Sequence, residues 1–221
     1  MTMDRRPRAR WLLLALGGLA VLAACSAVVA DGTVSQPERD VFLWINGLPA
    51  WLGAPLWIFQ QAGNIVVATA ATAGVGLALR NRRLVLAALF AAGAKLALEP
   101  VVKAVVERPR PGTSIGGEAI LRHHVPVDGL SFVSGHSTIT VAMAVLLATS
   151  LPRRWMVVVW TSVLLNGFGR VHAGAHNPLD IVGGGGLGLA IGATAVAILL
   201  CRGDSRGTAA EPAVDSIRSG T

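Results

Sequence analysis

Six apolar runs, each close to the length needed to cross a bilayer, constrain this chain more than any other feature. They occupy positions 11–30, 62–79, 84–106, 137–151, 155–168 and 179–201. A hydrocarbon core about 30 Å thick is crossed by roughly 17–25 helical residues. Inside it every backbone amide needs an internal partner, so each run is expected to be a helix. The expected fold class is all-α: a polytopic membrane protein with six transmembrane helices in a bundle.

Composition agrees. Of the 221 residues 53% are hydrophobic and only 14% charged, which excludes an ordinary soluble domain. The net charge of +7 does not mark a nucleic-acid binder, because the basic residues form short clusters between the apolar runs. Those clusters orient the chain. With the N-terminus inside, Arg5, Arg6, Arg8 and Arg10, then Arg80, Arg82 and Arg83, then Arg153 and Arg154, then Arg202 and Arg206 all fall on the cytoplasmic side.

The segment 41–60 is apolar too, but Gly47, Pro49, Gly53 and Pro55 break it and Trp44, Trp51 and Trp57 stud it. Were it to cross, Arg80, Arg82 and Arg83 would move outside. It is therefore expected along the outer interface, where indole rings settle, or as a loop packed on the bundle. The resulting organisation is a basic cytoplasmic N-terminus at 1–10, a six-span domain at 11–201 with an outer loop at about 107–133, and a disordered cytoplasmic tail at 202–221. Leu22-Ala23-Ala24-Cys25 is similar to a bacterial lipoprotein signal, but the apolar run continues through Ala30 and a retained helix is expected. Cys25 and Cys201 fall near opposite sides of the membrane and are not expected to pair.

Three short strings carry chemistry, and this topology brings all of them to the outer face. In the first, Lys103 and Arg110 stand seven apart, two turns along one face if the helix persists, with Pro109 and Pro111 expected to end it. A guanidinium clamps phosphate with parallel hydrogen bonds and an ammonium adds a point charge. In the second, Ser134 can cap a helix, Gly135 allows a ligand close to the backbone, and His136 can protonate a departing oxygen. In the third, Asn177 and Pro178 read as N-cap and first helical residue, which puts Asp180 in the first turn, able to reach back to His176. A carboxylate on one ring nitrogen fixes the tautomer and makes the other nitrogen a better nucleophile. Arg170 can neutralise the phosphate that His176 attacks.

Each string alone has a plainer reading: snorkelling cations, a capped helix, an acid suited to a helix dipole. Together the strings resemble the signature of the type 2 phosphatidic acid phosphatase superfamily, which includes membrane lipid phosphatases and soluble vanadium haloperoxidases. The resemblance covers Lys103 to Asp180 by motif. It implies a phosphohistidine on His176, oriented by Asp180, with His136 protonating the leaving group and Lys103, Arg110, Ser134, Gly135 and Arg170 holding the phosphoryl oxygens. It implies no metal and no other cofactor. Val133 stands where the pattern has proline and Gly169 where it has serine, so a phosphate hydrogen bond is expected to be missing at 169.

The expected function is hydrolysis of a lipid phosphomonoester or diphosphate, such as phosphatidic acid, phosphatidylglycerol phosphate or polyprenyl diphosphate. The protein would sit in the cell membrane with both termini cytoplasmic and the site extracytoplasmic. A phosphotransferase using the same intermediate, and a catalytically silent lipid-binding or transport protein, are the rival readings. Among the remaining residues, Arg108 is placed to assist Arg110 or to meet headgroups, and His123 and His124 lack a third metal ligand at helpful spacing. His172 reads as a loop residue. Glu99 can pair with Lys95 or Lys103 at i±4 and so steady Lys103. Gly184, Gly188 and Gly192 read as a helix-packing face.

Overall fold

The computed structural model describes residues 6–122 and 125–201. Arg5, His123, His124 and the tail 202–221, including Arg202 and Arg206, lie outside the described residues. The fold is all-helical: α1 (Arg6–Val28), α2 (Gln36–Asn46), α3 (Gly53–Gln60), α4 (Ile65–Ala78), α5 (Arg82–Val106), the single turn α6 (Pro111–Ser114), α7 (Gly135–Leu147), α8 (Arg153–His172) and α9 (Pro178–Ala195), which runs on as a π-helical turn over Val196–Leu200. Among the described residues the sole β-type pairing is an isolated bridge between Pro109 and Leu130.

The molecule is a membrane protein by its surface. Leu13, Leu16, Leu77, Val105, Val157 and Leu164 are each more than 60% exposed. A continuous apolar exterior of this kind suits lipid. Three helices are long and apolar enough to cross a bilayer, α1 from Arg8, α5, and α9 with its π-turn; the bent pair Gln36–Asn46 and Ala50–Gly63 would make a fourth. The helices α4 and α7 are apolar but have 14 and 13 residues. At 1.5 Å per residue they reach about 20 Å, short of the hydrocarbon thickness.

Glycine sets the packing of α9, which lies between α7 and α1. A Cβ at Gly184 would stand 2.6 Å from the Ser134 carbonyl oxygen and one at Gly192 would stand 2.9 Å from that of Ala142, while Gly188 meets the Thr138 carbonyl. On another side of α9, Gly186 faces Gly18 of α1, where a Cβ would lie 2.6 Å from the Gly186 oxygen. Small residues let the backbones touch, the usual means of close association in lipid. The core continues outward through Cys25 and Val29, Leu84 and Ala88, Ile139 and Leu146, and Leu187 and Ile191.

The bundle has two poles. Trp11, Asn81, Arg83, Thr149, Ser150, Leu200 and Cys201 line a cleft at one pole. The other pole gathers the chain after α1, the start of α4, the end of α5, the start of α7, the end of α8 and the start of α9. The α2–α3 segment begins and ends there: Glu38 bonds Arg108, and Gln60 bonds Arg170. Its two parts meet at an 84° bend, and Trp44, Trp51 and Trp57 are exposed on its surface. The two free cysteines sit toward opposite poles, Cys25 beside Gly183 and Cys201 in the far cleft.

Candidate active site

The pole that gathers the three strings is built from turns. Helix α5 stops at Val106, and Glu107 adopts the left-handed conformation (φ 50°, ψ 28°), its N–H donating to the Lys103 carbonyl. The residue before a proline disfavours helix, so Arg108 leaves the helical path ahead of Pro109. The chain then pairs with the end of the outer loop: Ser131 N–H donates to the Arg108 carbonyl at 2.8 Å and Arg110 N–H to the Gly129 carbonyl at 3.1 Å. Lys103 and Arg110 therefore do not share one helix face, as their spacing suggests. A reversal between them directs both cations to the site.

Reversal also buries Arg108, whose side chain is 0% exposed. Its guanidinium joins two carboxylates, reaching Glu38 Oε2 at 2.6 Å and Asp180 Oδ1 at 2.9 Å. Burial disfavours this charge, but Glu38 and Asp180 outweigh that cost and raise its pKa above the ordinary value. Glu38 also accepts from the Leu179 N–H at 2.8 Å, capping α9 from α2. The other Asp180 oxygen accepts from the Asn177 N–H at 2.8 Å and lies 3.6 Å from His176 Nδ1. That separation is just beyond a hydrogen bond, and Nδ1 has no other partner.

His176 thus stands over a fixed acid with Nε2 as its remaining nitrogen. Burial pushes its imidazole pKa down to about 4; Arg170 and Arg110 act in the same direction, against Asp180. The ring is neutral near pH 7, the state a nucleophile needs.

Around it lie the remaining predicted residues. Arg110 Nη1 donates to the Ala175 carbonyl at 3.1 Å, and burial lowers its pKa. Ser134 caps α7, its Oγ accepting from the Ser137 N–H at 3.4 Å, while its own N–H donates to the Asp180 carbonyl at 3.0 Å. This last bond ties the second string to the third. His136, in the first turn of α7, packs against Gly63 and lies within electrostatic reach of Arg170, His176, Lys95 and Glu99. Lys103 pairs with Glu99 at 2.8 Å, and Glu99 lies against Gly135. All eight predicted site residues are at this pole.

Three further residues belong to the site. Glu38 carries no sequence signal beyond an acid in a helix's first turn, and its role appears only when α2 meets α9. Arg108 was visible beside Arg110, but its place is interior and away from headgroups. Gln60 fills the space over Gly169: a Cβ there would stand 3.2 Å from the Gln60 Cγ and Nε2. Gln60 Oε1 accepts from Arg170 Nη1 at 3.2 Å, so the position lacking serine is covered by a polar side chain from another segment. The other departure, Val133, is fully buried. His172 corrects its reading as a loop residue. It closes the last turn of α8, 1% exposed, with Nε2 3.3 Å from the Pro49 carbonyl.

The pattern of the PAP2 superfamily matches residues 84–203, more than half of the chain. The chain belongs to that superfamily. No curated protein sequence matches it. Among solved structures it is similar to LpxE from Aquifex aeolicus, with 22% identity and a TM-score of 0.63 over 71% of this chain and 93% of that one. It is also similar to a transmembrane PAP2-type phosphatidylglycerolphosphate phosphatase from Bacillus subtilis, with 19% identity and a TM-score of 0.67 over 87% of this chain and 98% of that one. The chain thus shares the fold of both structures.

Proposed function

We propose that this protein is a membrane lipid phosphatase that removes phosphate from a lipid phosphomonoester or diphosphate through a phosphohistidine. The observation that carries the reading is the neutral, buried His176 backed by an Asp180 that Arg108 and the Asn177 N–H hold in place. Its Nε2 attacks phosphorus as the bond to the lipid oxygen breaks, and His136, entering the step as an imidazolium favoured by Glu99 and the anionic substrate, gives that oxygen a proton. Water then attacks the phosphohistidine, His136 takes its proton, and inorganic phosphate leaves with His176 neutral again. Lys103, Arg110 and Arg170, with the first amides of α7, meet the charge on the phosphoryl oxygens. The proposed steps call on no other cation.

Six crossings are part of the reading. Their support is the alternation of α1, α4, α5, α7, α8 and α9 between the two poles, and the return of the α2–α3 segment to the pole it started from. The arginine clusters of the sequence, of which Arg83 lines the cleft at the opposite pole, support a site on the outer side of the cell membrane with both termini cytoplasmic. A headgroup can then enter laterally. Phosphatidic acid, phosphatidylglycerol phosphate and polyprenyl diphosphate all present the needed terminal phosphate.

The test is phosphate release by detergent-purified protein in EDTA, on phosphatidic acid and polyprenyl diphosphate in parallel, with His176→Ala as control. EDTA-resistant release that disappears in the variant is expected. Release that survives the substitution would remove the phosphohistidine, and substrate loss exceeding phosphate release would favour transfer to a second lipid.

A further inference from the structure

Glu99 occupies part of the space in which a phosphate is expected. Its Oε1 is 2.8 Å from Lys103 Nζ and its Oε2 is 2.6 Å from Lys95 Nζ. The same carboxylate lies against the first residue of α7, where a Cβ at Gly135 would stand 2.6 Å from Oε1 and 2.7 Å from Cδ. The side chain is 14% exposed, so it is held in the bundle and does not reach to solvent. Lysine ammonium and helix-start position are what a phosphoryl oxygen would use, and an internal anion already faces both.

We propose that Glu99 is a displaceable resident anion that sets which headgroups the site accepts. It neutralises Lys95 and Lys103 while the site is empty and yields Lys103 when a terminal phosphate arrives. The two lysines make the exchange possible. Lys95 lies one turn on the far side of Glu99 from Lys103, so a carboxylate that releases Lys103 keeps a partner and no buried charge is stranded. A dianionic terminal phosphate competes for Lys103 with two charges. A phosphodiester headgroup offers a single charge and one fewer free oxygen, and fails to displace Glu99. A site that opens onto a bilayer faces phosphodiester lipids at high local concentration, and a resident carboxylate keeps it from being filled by them.

The inference rests on the proposed phosphate site, and calorimetric titration of the detergent-purified full chain separates the two. The probes are inorganic phosphate and dimethyl phosphate, a phosphodiester. Wild type is expected to bind inorganic phosphate and to leave dimethyl phosphate unbound. Glu99→Gln is expected to bind inorganic phosphate about tenfold more tightly or better and to bind dimethyl phosphate measurably, so that discrimination falls. Glu99→Asp keeps a charge for the lysines but retracts it from Gly135; it guards against a folding defect and is expected to shift discrimination in the same direction. Unchanged discrimination in both variants, or phosphate binding weakened as in Lys103→Ala, overturns the inference and leaves Glu99 as a support for its lysines. If Lys103→Ala and Arg170→Ala bind inorganic phosphate as wild type does, or wild type binds none, the phosphate site itself falls.

Discussion

Two carboxylates border the site in opposite circumstances. Asp180 is 0% exposed, clamped by Arg108 and a backbone N–H, with Glu38 behind the arginine. Glu99 is held by two flexible lysines on its own helix. The first arrangement draws on α2, the turn after α5 and the start of α9, and any movement in it strands a buried charge. The second is contained in three turns of one helix and survives the loss of one partner. On the proposed reading, the contrast is between an acid that is held still to aim the nucleophile and one whose partner the substrate can take.

The largest effect should come from breaking the fixed side. His176→Ala is expected to lower phosphate release to background, and Asp180→Asn to lower turnover by about 10⁴-fold by spoiling the tautomer, as in other oriented-histidine sites. Next is Arg108→Met, which leaves Glu38 and Asp180 facing each other. A one-sided break of a buried ion pair costs about 3–5 kcal/mol, to be read from thermal unfolding in detergent. Adding Glu38→Gln and Asp180→Asn to that variant should recover much of the stability and none of the activity.

Smaller effects sharpen the comparison. Gln60→Ala frees Arg170 and should raise KM about fivefold with less change in kcat, as expected for a lost hydrogen bond of about 1 kcal/mol. The pH profile gives the subtlest reading. With the His176 pKa lowered to about 4, the limb of kcat/KM belonging to His176 should lie near 4, below the limb near 6 that the second ionisation of a phosphomonoester substrate itself contributes. Asp180 raises that pKa, so residual activity of Asp180→Asn should extend to still lower pH. Glu99→Gln should leave the limb in place. A second limb near 6.5 in wild type, beyond the one the substrate's ionisation accounts for, would show that the histidine is not buried as described.

How much of this was legible in the sequence follows from where each partner resides. His176 and Asp180 are four residues apart across a helix start, and Asn177-Pro178 writes that start into the chain, so their geometry could be read directly. Ser134 and Gly135 open α7 for the same reason. Glu38 and Gln60 reach Arg108 and Arg170 across 70 and 110 positions, and no local pattern marks either. The broken, aromatic composition of the tryptophan-rich segment suggests an interfacial stretch or a loop on the bundle, and composition says nothing of what its ends touch. Helical spacing would put Lys103 and Arg110 on one face only if the helix persisted, and it stops at Val106, before the prolines expected to end it, where Glu107 turns left-handed. Arg108 looked like a surface cation because nothing near it in sequence announces its two acids.

The glycines of α9 have a consequence at a distance from the chemistry. With backbone seated on backbone there is no side chain to absorb a displacement between α7 and α9, and the Ser134–Asp180 bond that joins two strings of the site is the end point of that seam. The seam acts as a straightedge: a misfit of one methyl group at Gly192, buried against Ala142 and Val145 of α7, is expected to tilt it and to be delivered to the pole that holds the candidate site. Positions that look inert by their chemistry are therefore part of the machine's tolerance, and inactive variants should map along the whole length of that seam as well as around the phosphate.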